Sequence, residues 1–400
     1  MKNPFLSLKY RNFRLFWIGM ILSSIGTWMQ TIALPWVTLS ITNDPFKVSL
    51  VIVMQFIPTL IFTIFSGALL DKFNKKTILN IAQIGMMCVS AIFTILVFTK
   101  TYTFENIMFF SLINGIFTSL DAPSRQSMIH YLIDDDKDLP NAIALNSISF
   151  NTARILGPSL AGIIMHIFGV WVCFLLNTIS FFAIIISLKF INFIEIKEPQ
   201  KTFNIFKSIQ DGFLYAFNKK ILRELLLIIL IIATFIPNFN ITISAFAKFI
   251  LNGSEKEYGY MMAIFGIGAL CGSLCVASFG KMELKIIRFL SIFTAFALSM
   301  IGITSDFLIA SITLCLTGFC FVITGSSINS TVQLNTENNY RGRVMSIYTL
   351  FFLGSTPFGA LFAGYFTDKF GANFGLFICG FATILLLIML FLSQKKYDYY

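Results

Sequence analysis

Ionisable groups are scarce in this 400-residue chain: Asp, Glu, Lys and Arg make up 12% of it, and there are only two histidines. A soluble globular domain carries about a quarter charged residues, so that class is excluded. There is no Gly-x4-Gly-Lys-Ser/Thr loop, and without one a pump driven by nucleotide hydrolysis is excluded too. The seven cysteines, Cys88, Cys173, Cys271, Cys275, Cys315, Cys320 and Cys379, all lie in apolar stretches, so no disulfides are expected. Cys271 and Cys275 share a helix face, but no histidine or acid stands beside them, and no metal site is expected.

What fills the chain instead is apolar: 56% of its residues are hydrophobic and its mean hydropathy is +0.81. Charge-poor runs of about 18 or more residues read as membrane-spanning helices. They occur at Leu15 to Ile41, Val48 to Leu70, Thr77 to Thr99, Asn106 to Met128, Pro140 to Phe168 and Val170 to Leu188. After a polar break they resume at Leu225 to Ala247, Tyr258 to Gly280, Ile286 to Ser305, Phe307 to Leu334, Val344 to Thr367 and Ala372 to Ser393. The expected fold class is an all-α polytopic membrane protein with 12 transmembrane helices in two six-helix bundles, residues 1–188 and 225–400. Residues 189–224 form the linker. In it Phe203, Ile205, Phe206, Ile209, Phe213, Leu214 and Phe217 recur at helical spacing, which predicts an amphipathic helix in the headgroup plane that tethers the bundles.

Basic residues orient the spans. With the N-terminus inside, 23 of the 29 Lys and Arg fall on the cytoplasmic side and only Lys47, Lys100, Lys248, Lys256 and Lys369 outside, Arg154 lying within a span. A multi-pass protein of the cell (inner) membrane with both termini cytoplasmic is expected. The +10 net charge then needs no nucleic acid, and membrane lipids are the partner it implies. The first run is too long for a cleaved signal peptide and reads as a permanent anchor.

Two further features bear on function. The turn from Gly67 to Lys76, with Asp71, Lys72, Lys75 and Lys76, is a charged hinge between two spans, placing its acid near a helix N-terminus and its lysines at the cytoplasmic face. A shift of 202 residues lays Leu156 to Gly162 and Gly169 over Phe358 to Gly364 and Gly371, so the fifth span of each half carries the same glycine spacing. Parallel repeated halves with a site near the midplane are a secondary-transporter design.

Several stretches resemble one known family. Phe13-Arg14-Leu15-Phe16-Trp17 with Gly26-Thr27-Trp28-Met29-Gln30, Asp121-Ala122-Pro123-Ser124-Arg125-Gln126 and Arg341-Gly342-Arg343-Val344-Met345-Ser346 are similar to the first, fourth and eleventh helices of major facilitator superfamily exporters. The branch is the bacterial drug:proton antiporter one that contains enterobactin and macrolide efflux proteins, and the likeness covers nearly the whole chain. For the hinge, the resemblance implies a cytoplasmic gate formed by Gly67, Asp71, Lys72, Lys75, Lys76, Asp121, Arg125 and Arg343. In it Asp71 faces the eleventh helix near Gly342 to Ser346 and a hinge lysine reaches Asp121. Asn74 stands where the family has glycine, and Asn tolerates a left-handed backbone.

Asn151 to Gly162, with Arg154, Gly157, Pro158 and Gly162, resembles the fifth-helix motif of exporters in that superfamily, with Ala161 replacing one glycine. This implies efflux. An arginine at mid-span costs about 2.5 to 3.5 kcal/mol on insertion scales, so Arg154 belongs in the bundle interior, tied to a carbonyl or available to an anionic substrate group. Helices one, four, seven and ten line the passage in this fold, which makes Gln30, Asn114, Asn238, Asn240 and Asn329, with Asn151 and Arg154, the substrate-cavity candidates. Each of the five amides, taken singly, reads more simply as an interhelical hydrogen-bonding residue. Pro237 before Asn238 predicts a broken seventh helix.

The function expected is alternating-access efflux of an amphipathic small molecule, drug or siderophore-like, by a monomer without cofactor, metal or catalytic residues. Proton antiport follows from the resemblance alone, since no acid lies in span one and only Asp121 stands within the membrane. Two other readings stay open: an importer of a small metabolite in the same superfamily, and a membrane-embedded lipid-modifying enzyme built on Asp134, Asp135, Asp136 and Asp138. The acid run reads more simply as a solvated helix start.

Overall fold

A computed structural model describes residues 5–191, 205–279 and 282–396; within these, the side chains at 60, 63–72, 136, 140, 147, 205–209, 277–279, 338, 339, 395 and 396 lie outside the description. In chain order the helices are α1 (Arg11–Thr42), α2 (Pro45–Lys72), α3 (Lys75–Thr99), α4 (Phe104–Met128), α5 (Leu139–Phe168) and α6 (Trp171–Phe190). Then come α7 (Ile205–Asn218), α8 (Lys220–Phe235), α9 (Phe239–Ala245), α10 (Glu255–Phe279) and α11 (Leu284–Ile301). The last four are α12 (Phe307–Leu334), α13 (Asn338–Gly354), α14 (Thr356–Phe370) and α15 (Ala372–Lys396).

Nine helical stretches among the described residues are long and apolar enough to cross a membrane. Twelve were expected. The difference lies in the first half: of α2 only Pro45–Thr59 falls within the residues whose side chains are described, and α4 and α5 are absent from the nine. Those two carry Glu105, Asp121 and Arg125, and Arg154 and His166, which lower their apolar character. Two of the nine are composite, α8 running with α9 through Ile250 and α13 with α14.

The chain divides into two compact units, residues 1–42 with 51–200 and residues 43–50 with 201–400. In the first, α1 packs on α5 and α6, and α3 on α4 and α6. Phe13, Phe16, Met20, Leu79, Met128 and Leu188 form a buried apolar cluster at one end of it. In the second, α12 packs on α10 and α11, and α15 on α11 and α14. Small residues allow these approaches: a Cβ on Gly268 of α10 would stand 2.0 Å from the Cys315 carbonyl oxygen on α12.

The 202-residue repeat is visible in the backbone. Gly169 and Gly371, which end α5 and α14, have φ/ψ of 89°/163° and 88°/163°, reachable only without a side chain, and their N–H groups donate to Met165 O and Thr367 O. Just over three turns further in, Gly157 is pressed against Trp28 of α1, and its counterpart Gly359 against the Thr234 carbonyl of α8. The fifth helix of each half therefore touches the first through the same glycine.

Local chemistry sets the breaks. The composite span through α8 and α9 is interrupted around Pro237, as its sequence predicts, and the Asn238 side chain donates to Thr234 O at 2.7 Å, satisfying a carbonyl at the break. A π-helical turn follows at Phe246–Ile250. Pro158, by contrast, sits inside a continuous α5. Asn74 is not left-handed: at φ −62° and ψ 125° it is the N-cap of α3, accepting from the Thr77 N–H at 3.2 Å, so glycine's conformational freedom is not needed there.

The amphipathic linker helix α7 has a partner within its own unit. One face docks on α13: the Tyr215 and Tyr340 rings stack with centroids 4.1 Å apart, Phe213 meets Phe351, and Gly212 lies against Arg343. Leu214 stays exposed. The part of the linker at 192–204 lies outside the described residues.

Candidate functional site

Helical periodicity puts Ser23, Thr27, Gln30 and Thr31 on one stripe of α1. At its middle, Gln30 Oε1 accepts from Asn177 Nδ2 of α6 at 2.7 Å and from Ser90 Oγ of α3 at 3.0 Å. Ser90 shares its proton with Phe174 O at 3.1 Å. Gln30 is thereby held by its oxygen, and its amide nitrogen is the end left over. It borders a small cavity lined by Thr27, Gln30, Thr31, Leu34, Gln55, Met86, Asn114, Asn177 and Phe181. That cavity has about 10 Å3 of space for water, room for about one molecule, so in this conformation it is closed around its polar groups.

A second polar chain runs from the same α1 stripe. Ser23 Oγ lies 3.4 Å from Gln83 Oε1 on α3, and Gln83 Nε2 donates to Asp121 Oδ1 on α4 at 2.5 Å. The other carboxylate oxygen of Asp121 is paired with Arg125, one helical turn on. Asp121 is 4% exposed, and a carboxylate that far from water is tolerable only with such partners.

The other gate candidates are distributed as follows. The side chains of Gly67, Asp71 and Lys72 lie outside the described residues. Lys75 stands over the Tyr131 ring at 5.0 Å, and Lys76 donates to Ile191 O at 2.7 Å. Arg343, in the second unit, is 3.9 Å from Asp211 of α7 and over Tyr340.

Of the cavity candidates, the structure brings Gln30 and Asn114 to one cavity. Arg154 is half-buried on α5 and Asn151 exposed, and neither is among the nine lining residues. In the motif around them, Gly157, Pro158 and Gly162 are buried, Gly157 against α1. Asn238 bridges the helix break, Asn240 is half-buried on α9, and Asn329 accepts from Gln333 Nε2 at 2.6 Å. Sequence reasoning missed Gln55, Gln83, Ser90 and Asn177. The spacing of Gln83, Met86 and Ser90 on one face of an apolar helix is the signal that would have found the α3 pair.

Two polar clasps also went unread, one per unit, each joining the N-terminal approach to the first helix to the N-cap of the fifth. In one, Asp138 accepts from Lys9 at 2.6 Å and from Tyr10 OH at 2.9 Å. In the other, Glu337 meets Lys219 at 2.7 Å, Lys219 donates to Tyr215 OH at 2.6 Å, and the Glu337 N–H donates to that hydroxyl at 3.0 Å. The lysine hydrogen bond, then the tyrosine, holds each carboxyl below its ordinary range, and the acid raises each lysine. Deeper in the second unit, Glu224 of α8 is 1% exposed and accepts both arms of Arg288 from α11, Arg288 NH2 to Glu224 Oε2 spanning 2.8 Å.

The architecture and its buried polar interior define a membrane transporter. It is similar to the solved structure of a bacterial homologue of the iron transporter ferroportin in its inward-facing state, with a TM-score of 0.69 at 14% identity, covering 95% of this chain and 98% of that one. Residues 2–398 match the profile of the transmembrane secretion effectors, and the chain belongs to that family of the major facilitator superfamily. Among curated relatives, the staphyloferrin A transporter of Staphylococcus aureus is 24% identical over 386 residues, covering 95% of this chain and 96% of its own. Macrolide efflux protein A of Streptococcus pyogenes is 21% identical over 395 residues, with 95% and 96% covered. The family consists of transporters, not enzymes, so the lipid-modifying alternative on Asp134 to Asp138 falls away.

Proposed function

We propose that this protein is an alternating-access exporter that moves an amphipathic small molecule, of drug or siderophore kind, out across the inner membrane in exchange for protons. It acts as a monomer with both termini cytoplasmic. The observation that carries the reading is the family match over residues 2–398, joined by relatives named for macrolide efflux and staphyloferrin A transport. Asp121 is the proposed proton-responsive group, buried on α4 between Arg125 and Gln83. Gly67, Asp71, Lys72, Lys75, Lys76, Asp121, Arg125 and Arg343 are proposed to form the cytoplasmic gate. Gln30 and Asn114, with Asn151, Arg154, Asn238, Asn240 and Asn329, are the proposed contacts along the passage, and Gly157, Pro158 and Gly162 the motif that favours export.

The test is a survival and accumulation screen of cells with and without the protein across macrolides, siderophores and other amphipathic compounds, repeated with a protonophore and with Asp121→Asn. Lower accumulation that the protonophore and Asp121→Asn both abolish is the expected result. Higher accumulation in cells carrying the protein would make it an importer. Export indifferent to both the protonophore and Asp121→Asn would remove proton coupling.

A further inference from the structure

We infer that the cavity between Gln30 and Asn114 recognises the uncharged, oxygen-rich head of the transported molecule, and not an ionised group. This rests on the transporter reading and narrows it to a substrate class.

Four of the nine lining residues are carboxamides, Gln30, Gln55, Asn114 and Asn177, and two more are threonines. None of the nine carries a charge. Their hydrogen bonds fix what each amide offers. Gln30 spends its oxygen on Asn177 and Ser90, which leaves both of its N–H donors for the cavity. Asn177 is pinned in turn: its nitrogen is given to Gln30, Ser180 Oγ lies 3.2 Å from its oxygen, and a Cβ on Gly26 would stand 2.8 Å from that oxygen, so α1 holds it in place. Asn114 is 8% exposed and Gln55 half-buried, and among the described residues neither side-chain amide makes a hydrogen bond.

None of the amide atoms that Gln30, Gln55 and Asn114 leave unbonded is sealed from solvent, so these groups front space that a water or a ligand reaches, and the cavity has room for about one small polar group at a time. Gln30 offers only donors, Asn114 and Gln55 offer both kinds, and Thr27 and Thr31, whose hydroxyls donate to Ser23 O and Thr27 O, offer acceptors, a mixture that suits hydroxyl groups together with ether and carbonyl oxygens. Leu34, Met86 and Phe181 supply an apolar wall for the carbon skeleton beside those oxygens. An ammonium or carboxylate entering the same space would shed its water without meeting an opposite charge. The neighbouring Asp121 is already paired with Arg125 and reaches the α1 stripe only through Gln83.

Three probes that share a phenyl ring and differ in the head separate the cases: phenyl β-glucoside, phenyltrimethylammonium and benzoate. Each is titrated against the full-length protein in lipid nanodiscs, and the ligand-induced rise in melting midpoint gives an apparent Kd. The glucoside is expected to bind at least tenfold more tightly than either ion, and Gln30→Leu and Asn114→Leu each to weaken it by about tenfold. Gln30→Glu, nearly isosteric, should shift preference toward phenyltrimethylammonium, a gain that misfolding cannot mimic. A charged probe binding as tightly as the glucoside, binding of none of the three, or glucoside binding indifferent to Gln30 and Asn114 would overturn the inference. Transport of the same probes into inverted vesicles reports on export separately. A glucoside that binds and is not moved sinks the exporter reading and leaves the cavity assignment standing. Transport without head-group preference does the reverse.

Discussion

Replacing Gly359 with alanine tests whether the repeated glycine is a packing requirement. The added Cβ would lie 1.4 Å from Thr234 O and 2.5 Å from Asn238 Nδ2, whereas ordinary contact begins near 3.4 Å. The carbonyl would have to retreat about 2 Å, the difference between those two distances. It is backbone, and it accepts the Asn238 hydrogen bond that bridges the break after α8. Overpacking of a filled interior costs about 1–3 kcal/mol, and losing that bond about 1 kcal/mol more. Alanine's better helix propensity returns at most about 1 kcal/mol. A net loss of about 1–3 kcal/mol is expected. For Gly157→Ala the obstacle is Trp28 Cβ at 2.3 Å, a smaller overlap, and a loss of about 1–2 kcal/mol is expected. Gly325 and Gly342 would meet nothing within 4 Å, so alanine there should be neutral or slightly stabilising. Unfolding can be followed with a thiol-reactive dye, because Cys173, Cys320 and Cys379 are buried. Wild-type stability in Gly359→Ala, or a control that falls as far, would refute the packing argument.

Other expectations follow from the polar pairs. Glu224→Ala leaves Arg288 without its bidentate partner; breaking a buried pair costs about 3–5 kcal/mol, discounted here because the Arg288 side chain is 35% exposed. The double variant lacking both charges should be more stable than Glu224→Ala alone, and additivity in that cycle would mean the two side chains do not interact. Asp138 and Glu337 have lowered carboxyl pKa values, so each clasp contributes stability above the ordinary carboxylate values of 3.8 and 4.5 and loses it as pH falls through the folded ones. The wild type's advantage in melting midpoint over Asp138→Asn/Glu337→Gln should be flat near neutrality and vanish in strong acid; an advantage that persists there would show the carboxylates are not its source. Lys9 and Lys219 are raised, so the same contacts should also weaken as pH rises through their folded values, and Lys9→Met/Lys219→Met should erase that alkaline limb of the melting profile.

Much of the architecture is legible because a membrane simplifies the code. Runs such as Ala372 to Ser393 have no stable state other than a buried helix, and Pro237 announces the break it makes. The glycine repeat is legible too, since only small residues permit the contacts at Trp28 and Thr234. The polar interior is harder. Whether Gln83 faces Asp121 or lipid depends on which helix lies beside α3, a question settled 38 residues away. Glu224 and Arg288 lie 64 residues apart at the ends of their helices, where a charge also reads as a topology signal. Asn74 shows the opposite difficulty: its substitution for glycine suggests a left-handed turn, yet its side-chain oxygen makes it a helix cap. The gate around Asp71 rests on the resemblance.

The halves repeat their packing and a lysine–acid–tyrosine clasp but not the polar residues of α4, and that contrast bears on where recognition resides. The shift of 202 residues that lays Gly157 on Gly359 and Gly169 on Gly371 puts Leu316 opposite Asn114 and Ile323 opposite Asp121. A duplicated scaffold needs matched helix contacts in both halves to remain rigid, whereas a bound head group needs one set of polar partners, and the carboxamide cavity and the Asp121 pair both lie in the first unit. On the proposed function, Asn114→Leu should lower efflux of a transported compound in inverted vesicles while leaving the melting midpoint near that of wild type, whereas Asp121→Asn, which takes the carboxylate partner from Arg125, should lower both. Ile323→Ala, which removes apolar packing at a buried position and no polar group, should lower the midpoint and leave efflux per folded molecule unchanged. Efflux per folded molecule that falls as far in Ile323→Ala as in Asn114→Leu and Asp121→Asn would mean that both halves contribute to recognition, and that the chemical asymmetry of the chain has another origin.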